Sequence, residues 1–401
     1  MKKDKQTRFI TIIIVIIGLL LTYFLNYAVS YSVGQDKIVV GFDNSFDEKS
    51  PFYTDINNFN DYESEYSQYR VDMHYNNLTE KEKVVYHIYE YAFENSYDTI
   101  YLDNRYFKDG ETNGIVEVMD YYNILIFLSL DSPLIESNVG TRYAKDIDII
   151  HKVGFLKVPI ECSVKEIKVS IFNEGNLAKK KQALTKAKEI VSACPDNFSD
   201  LERYEYYFKY IANNTDYREG TESGTYLYDC LFLKKGNCDA FSNTYSLLCN
   251  LSGIICFEKF YPENEQLKGH IWNCIEIDDK YYNVDPTYQH NWKDNNYLLW
   301  FGYSDEAQKQ PNVYKSILPE CTNNIYLIYL EFNSVNDVDF KNKIKSALND
   351  LSVQDKKYVL VSLENKTDAD EKLDELRTDF NVAIPTVFDE PKYQFYVIPR
   401  K

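Results

Sequence analysis

The stretch Gly-Asn-Cys-Asp-Ala-Phe-Ser, residues 236–242, says most about the fold of this chain. Apolar residues with helical spacing run from Cys238 to Leu251, and Gly253 offers a stop. Gly236 would let the backbone turn tightly into this helix. A cysteine in the first helical turn lies at the positive end of the helix dipole, which favours the thiolate. The first-turn N–H groups also lack helical partners and suit a developing oxyanion.

A histidine and an aspartate follow at a spacing that suits a β-hairpin. His270 and Asp285 lie in segments that alternate like strands, and Asp278-Asp279 between them suits a two-residue turn. That register puts Asp285 opposite Trp272 and one diagonal step, about 7–8 Å, from His270 on the same face. A slip of one residue would send one of the two to the other face. The spacing therefore predicts a His–Asp pair.

These three residue types together suit thiol chemistry. A thiol needs a base to become a thiolate, and the base needs a third group that fixes its tautomer. Each residue alone has an ordinary structural explanation: a cysteine in an apolar helix is usually a small core residue, and Asp-Pro-Thr is a common turn. The agreement of order, spacing and predicted elements favours a catalytic triad of Cys238, His270 and Asp285.

The segment from about 196 to 316 resembles the transglutaminase-like superfamily, which shares a papain-like thiol core. Three motifs of that family occur here in order: the helix start Gly236–Ser242, the strand motif His270-x-Trp272 and the triplet Asp285–Thr287. The resemblance implies that Cys238 is the nucleophile, His270 the base and acid, and Asp285 the orienting group. It also implies an α+β fold in which the helix carrying the cysteine packs on an antiparallel sheet carrying the histidine and the aspartate.

Two aromatic residues are further candidates under this resemblance. A hydroxyl or indole near such a site often helps to stabilise the oxyanion, and Tyr228 and Trp272 are the candidates for oxyanion or substrate contacts. The resemblance covers under a third of the chain and specifies no substrate.

Composition and charge exclude several other classes of function. The formal net charge is −18 with no long basic patch, so nucleic acid is not expected as a partner. The eight cysteines include no C-x-x-C pair, so a zinc site is not expected. No cofactor is predicted. If Cys238 is a free thiol, an odd number of cysteines remains, and a complete disulfide framework is not implied.

The N-terminus predicts a membrane anchor. Lysines and an arginine within residues 1–8 precede the uncharged apolar run 9–25, which is short for a membrane span and long for a signal-peptide core. Residues 28–30 would suit cleavage, but a retained anchor is the preferred interpretation. Basic residues before the run predict a single-pass protein whose C-terminal part is exported.

Sequence patterns divide the rest of the chain. Thr79 with Glu82 is a capping box that predicts a helix, and from about residue 320 a β-α-β-α-β-β order is predicted. The predicted parts are a cytoplasmic tip and anchor (1–30), an N-terminal α+β module (31–195), the transglutaminase-like core (196–318) and a small C-terminal α/β domain (319–401).

The sequence thus predicts an exported, membrane-anchored bacterial thiol enzyme. It would transfer acyl groups of peptide or amide bonds through a thioester, by hydrolysis or by cross-linking, with a protein or peptide substrate that belongs to the cell surface. The alternative is a non-catalytic surface binding module that keeps the fold. The sequence does not decide between water and an amine as the acyl acceptor.

Overall fold

The computed structural model describes most of the chain from residue 39 onward. Apart from a few isolated positions, the described residues are 39–43, 52–95, 99–103, 115–135, 147–151, 164–170, 177–261, 269–290, 298–309, 318–365, 386–389 and 394–399. The predicted anchor at 9–25 lies outside them. Within the described part of the chain, no helix is long and apolar enough to span a membrane.

The chain divides into two compact units. The first unit comprises residues 1–62, 97–121 and 144–171, and the second comprises 63–96, 122–143 and 172–401. The domain boundaries predicted from the sequence stay a prediction.

The first unit contains an antiparallel sheet with the strand order β2-β1-β3-β5-β4. Its strands are β1 (Val39–Asp43), β2 (Phe52–Asp55), β3 (Thr99–Asp103), β4 (Ile147–His151) and β5 (Val164–Ser170). Val40, Ile100 and Leu102 are buried on this sheet, which is the alternation expected of strands with one covered face.

Four of the described α-helices begin after a residue whose side chain caps them, namely Thr79, Ser199, Asn237 and Ser304. The bounds of the helices are α1 (Glu80–Glu94), α2 (Ile115–Asp131), α3 (Leu177–Ser192), α4 (Asp200–Asn214), α5 (Cys238–Leu251), α6 (Pro286–His290), α7 (Asp305–Gln308) and α8 (Phe340–Val353). The capping box predicted at Thr79 and Glu82 is confirmed, and Ser199 with Glu202 forms a second one before α4. The helix that the sequence predicts over 337–351 is α8, which begins three residues later and ends two residues later.

A second sheet and three helices form the core of the second unit. Its antiparallel strands are β8 (Cys256–Tyr261), β9 (His270–Ile277), β10 (Lys280–Val284) and β11 (Phe301–Tyr303), in the order β11-β10-β9-β8. Tyr245 and Leu248 of α5, Phe208 of α4 and Ala187 of α3 are fully buried in one apolar cluster with residues of this sheet. The α+β fold is therefore confirmed, with α5 packed between helices and an antiparallel sheet.

The turn between β9 and β10 sets the register of the hairpin. Asp278 and Asp279 both have positive φ, 51° and 58°, as the two-residue hairpin turn requires. The pairs run from Ile277 with Lys280 to Asn273 with Val284. The predicted register is confirmed, because continuing it by one pair brings the residue after Val284 opposite Trp272.

The C-terminal part has its own sheet within the second unit. It consists of β12 (Leu327–Ser334), β13 (Tyr358–Asn365), β14 (Thr386–Asp389) and β15 (Gln394–Pro399), in the order β12-β13-β15-β14. Strands β12 and β13 are parallel and α8 connects them, which is a β-α-β unit. The strands and the hairpin predicted here are confirmed, whereas most of the predicted helix 368–380 lies outside the described residues.

Candidate functional site: a thiol beside a His–Asp pair

The segment before Cys238 is held close to the helix that follows. Short parallel strands β6 (Asp216–Tyr217) and β7 (Lys235–Gly236) pair Tyr217 with Gly236. A Cβ atom added to Gly236 would lie 2.2 Å from the Cβ of Ala240. Glycine is thus required here for close approach of the strand to the first turn of α5. From the sequence we expected a glycine at this position because of a tight turn into the helix, whereas the structure requires it for this close approach.

Cys238 is the first residue of α5 and is partly exposed. The side-chain oxygen of Asn237 caps the helix by accepting the backbone N–H of Ala240 at 3.2 Å. The other six described cysteines are all buried. Among the described cysteines, Cys238 therefore combines a place at the positive end of a helix with exposure to solvent.

His270 and Asp285 form a buried pair. Nε2 of His270 lies 2.7 Å from Oδ2 of Asp285, and the two side chains are 8% and 0% exposed. His270 opens β9 and Asp285 follows the last residue of β10, so the hairpin register brings them to the same face. The geometry of the pair is the one that the sequence predicts.

Asp285 also begins the next helix. Its Oδ1 accepts the backbone N–H of Tyr288 at 3.0 Å, and its own N–H donates to the carbonyl of Trp300 at 2.7 Å. Pro286 stands at the first position of α6, where a backbone N–H would have no partner within the helix, so proline loses no hydrogen bond there. The order Asp-Pro therefore lets one carboxylate cap a helix with one oxygen and hold His270 with the other.

The surroundings of His270 favour its charged form. Burial by itself lowers the pKa of His270, but the charge of Asp285, its hydrogen bond and the neighbouring thiol of Cys238 outweigh burial and raise the pKa to about 10. Because Nε2 is engaged by Asp285, Nδ1 is the nitrogen that remains for Cys238. The imidazolium at neutral pH then supplies both a cation that stabilises a thiolate and a proton that can be transferred.

The ring of Tyr288 packs against the imidazole of His270. Its ring is stacked on that of His270, with centroids 4.5 Å apart and planes 17° from parallel. The ring also contacts Trp300 at 5.2 Å. Sequence reasoning missed Tyr288, and the signal that points to it is its place three residues after Asp285, in the helical turn that the aspartate caps.

The family model of the transglutaminase-like superfamily matches residues 185–286. This chain contains a transglutaminase-like domain. The matched segment begins within α3 and ends at Pro286, so it contains Cys238, His270 and Asp285. The fold expected from the resemblance is confirmed, while the roles of the three residues stay predictions.

Solved structures similar to this chain are distant from it. A candidate cysteine protease from Cytophaga hutchinsonii is 22% identical, with a TM-score of 0.22, over 27% of this chain and 37% of that one. The periplasmic domain of TgpA from Pseudomonas aeruginosa, bound to ethylmercury, is 14% identical, with a TM-score of 0.22, over 32% and 58%. A protein described as a TGase is 12% identical, with a TM-score of 0.26, over 46% and 54%. The chain thus spans less than two thirds of each solved protein. No curated protein matches it.

Trp272 lies beside His270 in the transglutaminase-like domain but faces inward. The two rings are nearly parallel with centroids 6.2 Å apart, and Trp272 is 1% exposed. Its indole N–H donates to Oδ1 of Asn283 at 3.0 Å, and the amide of Asn283 donates to Asp305 at 2.9 Å. The buried ammonium of Lys259 lies 3.3 Å from the same carboxylate. The indole N–H is therefore engaged in a network that supports the sheet behind the histidine.

Tyr228 lies in the short helical segment Tyr226–Tyr228, ten residues before Cys238 along the chain. Its ring stacks on Phe232 at 4.6 Å, and the ammonium of Lys179 lies 5.5 Å above it. The contribution of Tyr228 to an oxyanion site stays a prediction. Tyr217 pairs with Gly236, two residues before the cysteine, and its burial and then the charge of Cys238 raise the pKa of Tyr217. Tyr217 is 44% exposed, and its strand pairing next to the cysteine is a tertiary feature that the sequence does not display.

No metal site is evident within the described residues. They contain no group of three or more His, Cys, Asp or Glu side chains arranged to hold an ion.

Proposed function

We propose that this protein is a thiol enzyme that transfers acyl groups from peptide or amide bonds through a thioester on Cys238. The observation that carries the proposal is the setting of His270, whose Nε2 is held by Asp285 at 2.7 Å while its other nitrogen is left for a half-exposed thiol. Nucleophile, base and orienting group then stand in the order that thiol catalysis needs.

In the first half-reaction the thiolate of Cys238 attacks the carbonyl carbon of the substrate. The C–S bond forms and the carbonyl oxygen becomes an oxyanion, which N–H groups of the first turn of α5 are oriented to stabilise. His270, as imidazolium, then donates its proton to the leaving nitrogen. The C–N bond breaks, and an amine and a thioester result.

In the second half-reaction the neutral imidazole of His270 accepts a proton from the attacking group. Water as the acceptor gives a carboxylic acid, and a primary amine gives a new amide; both regenerate the thiol. We favour hydrolysis of peptide or amide bonds in a protein of the cell surface, since the exposure of the thiol leaves the thioester accessible to water.

The direct test is selective alkylation of Cys238. A free thiol is only about 1% ionised at pH 6.5, whereas a thiolate paired with an imidazolium is already formed. Iodoacetamide is therefore expected to label Cys238 at this pH about tenfold or more faster than free cysteine. The larger thiolate fraction raises the rate by more than this, but a paired thiolate is less nucleophilic than a free one, which reduces the gain. Peptide mass analysis locates the label, and the buried Cys249, on the same helix, serves as an internal control.

Labelling of Cys238 no faster than free cysteine would remove the basis of the proposal. Equal labelling of Cys249 would mean that the protein had unfolded during the experiment, and the rate would then be measured again at lower temperature on protein verified by circular dichroism.

We further propose that the enzyme is anchored in the membrane by residues 9–25 and that everything beyond about residue 30 is exported. The basic residues before this run support the orientation. Protease added to intact cells, after opening of any outer membrane, is expected to remove the transglutaminase-like domain and leave a short membrane-bound stub. Protection until the cells are lysed would reverse the orientation and move the substrate to the cytoplasm.

A further inference from the structure

A small apolar cluster lies directly against Cys238. It consists of Ile126 and Leu130 of α2, Phe260 of β8 and Ile271 of β9, which are between 2% and 6% exposed, and the partly buried Cys238 packs on it. We call these four residues the thiol wall. Phe260 and Ile271 pair across the sheet, so the strand side of the wall belongs to the same hairpin system that carries His270.

The other half of the thiol wall comes from outside the matched family segment. Ile126 and Leu130 stand in the last turns of α2, more than fifty residues before the match begins at 185. The part of the chain that precedes the transglutaminase-like domain therefore supplies half of the apolar cluster against which Cys238 packs.

The end of α2 is anchored by a buried ionisable pair. Asp131, the last residue of the helix, has its carboxylate 2.6 Å from Nδ1 of His74. It also accepts the backbone N–H groups of His74, at 3.0 Å, and of Tyr75, at 2.9 Å. The ring of Phe127 stacks on His74 with centroids 5.1 Å apart. These contacts hold the end of α2 in place, while Ile126 and Leu130 belong to the cluster against which Cys238 packs.

We infer that the C-terminal turn of α2 is a positioning element for Cys238, acting through Leu130 and Ile126. The inference rests on the proposed function. A thiol on a single rotatable bond keeps its alignment with an imidazole when its other side is closely packed, and displacement by about 1 Å can cost a large factor in rate. The thiol wall also covers part of the Cys238 side chain with apolar groups.

Leu130→Ala tests the inference, with Leu128→Ala as the matched control. Leu128 is fully buried on the same helix but stands about 200° around it from Leu130 and outside the thiol wall. The measurement, on the full chain, is the rate of iodoacetamide labelling of Cys238 at pH 9 divided by the rate at pH 6. Steric access affects both rates alike, so the ratio reports how well the thiol is paired with the imidazole.

For a free thiol this ratio is on the order of 10², because ionisation rises steeply over the range. The wild-type ratio is expected to be below about 10. Leu130→Ala is expected to raise it at least threefold above wild type, Leu130→Met to restore it, and Leu128→Ala to leave it unchanged. Ile126→Val, a smaller truncation, replaces Leu130→Ala if circular dichroism shows that the latter is unfolded.

A Leu130→Ala ratio equal to wild type, or an equal rise in Leu128→Ala, would overturn the positioning role. A wild-type ratio equal to that of free cysteine would instead contradict the proposed function, so the two failures are distinguishable.

Discussion

Replacing Cys238 with alanine is expected to abolish acyl transfer while the protein stays folded. No other group in the described site can form the thioester, so activity should fall by about 10⁴-fold or more. Hydrolysis is measured as new amino groups released from casein, and transfer as incorporation of a fluorescent primary amine into the same protein. Cys238 is partly exposed and alanine suits a helix, so stability should change little.

The control for this variant is Cys249→Ala. Cys249 lies on the same helix, about three turns after Cys238. It is fully buried, so its loss should lower stability slightly and leave activity in place. If the Cys238→Ala protein keeps every activity of the wild type, the alternative of a binding module that retains only the fold becomes the better explanation.

Replacing His270 with alanine is expected to have the second largest effect. The imidazole stabilises the thiolate and carries the proton in both half-reactions, so its loss should reduce activity by roughly 10²–10⁴-fold. The labelling of Cys238 near neutral pH should slow to the rate of an ordinary thiol, because the cation beside it is gone. Both quantities are measured on protein whose circular dichroism matches wild type.

Asp285 provides the comparison for His270. Its carboxylate orients the imidazole and does not itself transfer a proton, so Asp285→Ala should reduce activity less than His270→Ala. Since Asp285 also caps α6, the alanine variant loses a helix cap as well. Asp285→Asn keeps a good cap and is therefore the cleaner variant. A folded Asp285→Asn protein that is less active than His270→Ala would contradict the assigned roles.

Local signals account for the parts of the site that could be predicted. Helix α5 begins at Cys238 and ends before Gly253, whose φ of 73° suits a helix stop. The turn at Asp278-Asp279 determines which residues of the hairpin face each other. Because side chains alternate between the two faces of a strand, this register places His270 and Asp285 on the same face. Helical period, strand alternation and turn chemistry all act within about ten residues, which is why a single sequence displays them.

The tertiary structure alone decided what surrounds these groups. The sequence by itself determined the α+β class, the helix that carries the thiol and the register of the His–Asp pair. It did not display that Tyr288 stacks on His270, that Gly236 is required by the side chain of Ala240, or that Leu130 belongs to the cluster against which Cys238 packs. Tyr288 and Leu130 stand on other elements than His270 and Cys238, so no periodic signal in the sequence links them. These contacts arise because close packing must fill the space beside each buried group with whatever element the fold brings there.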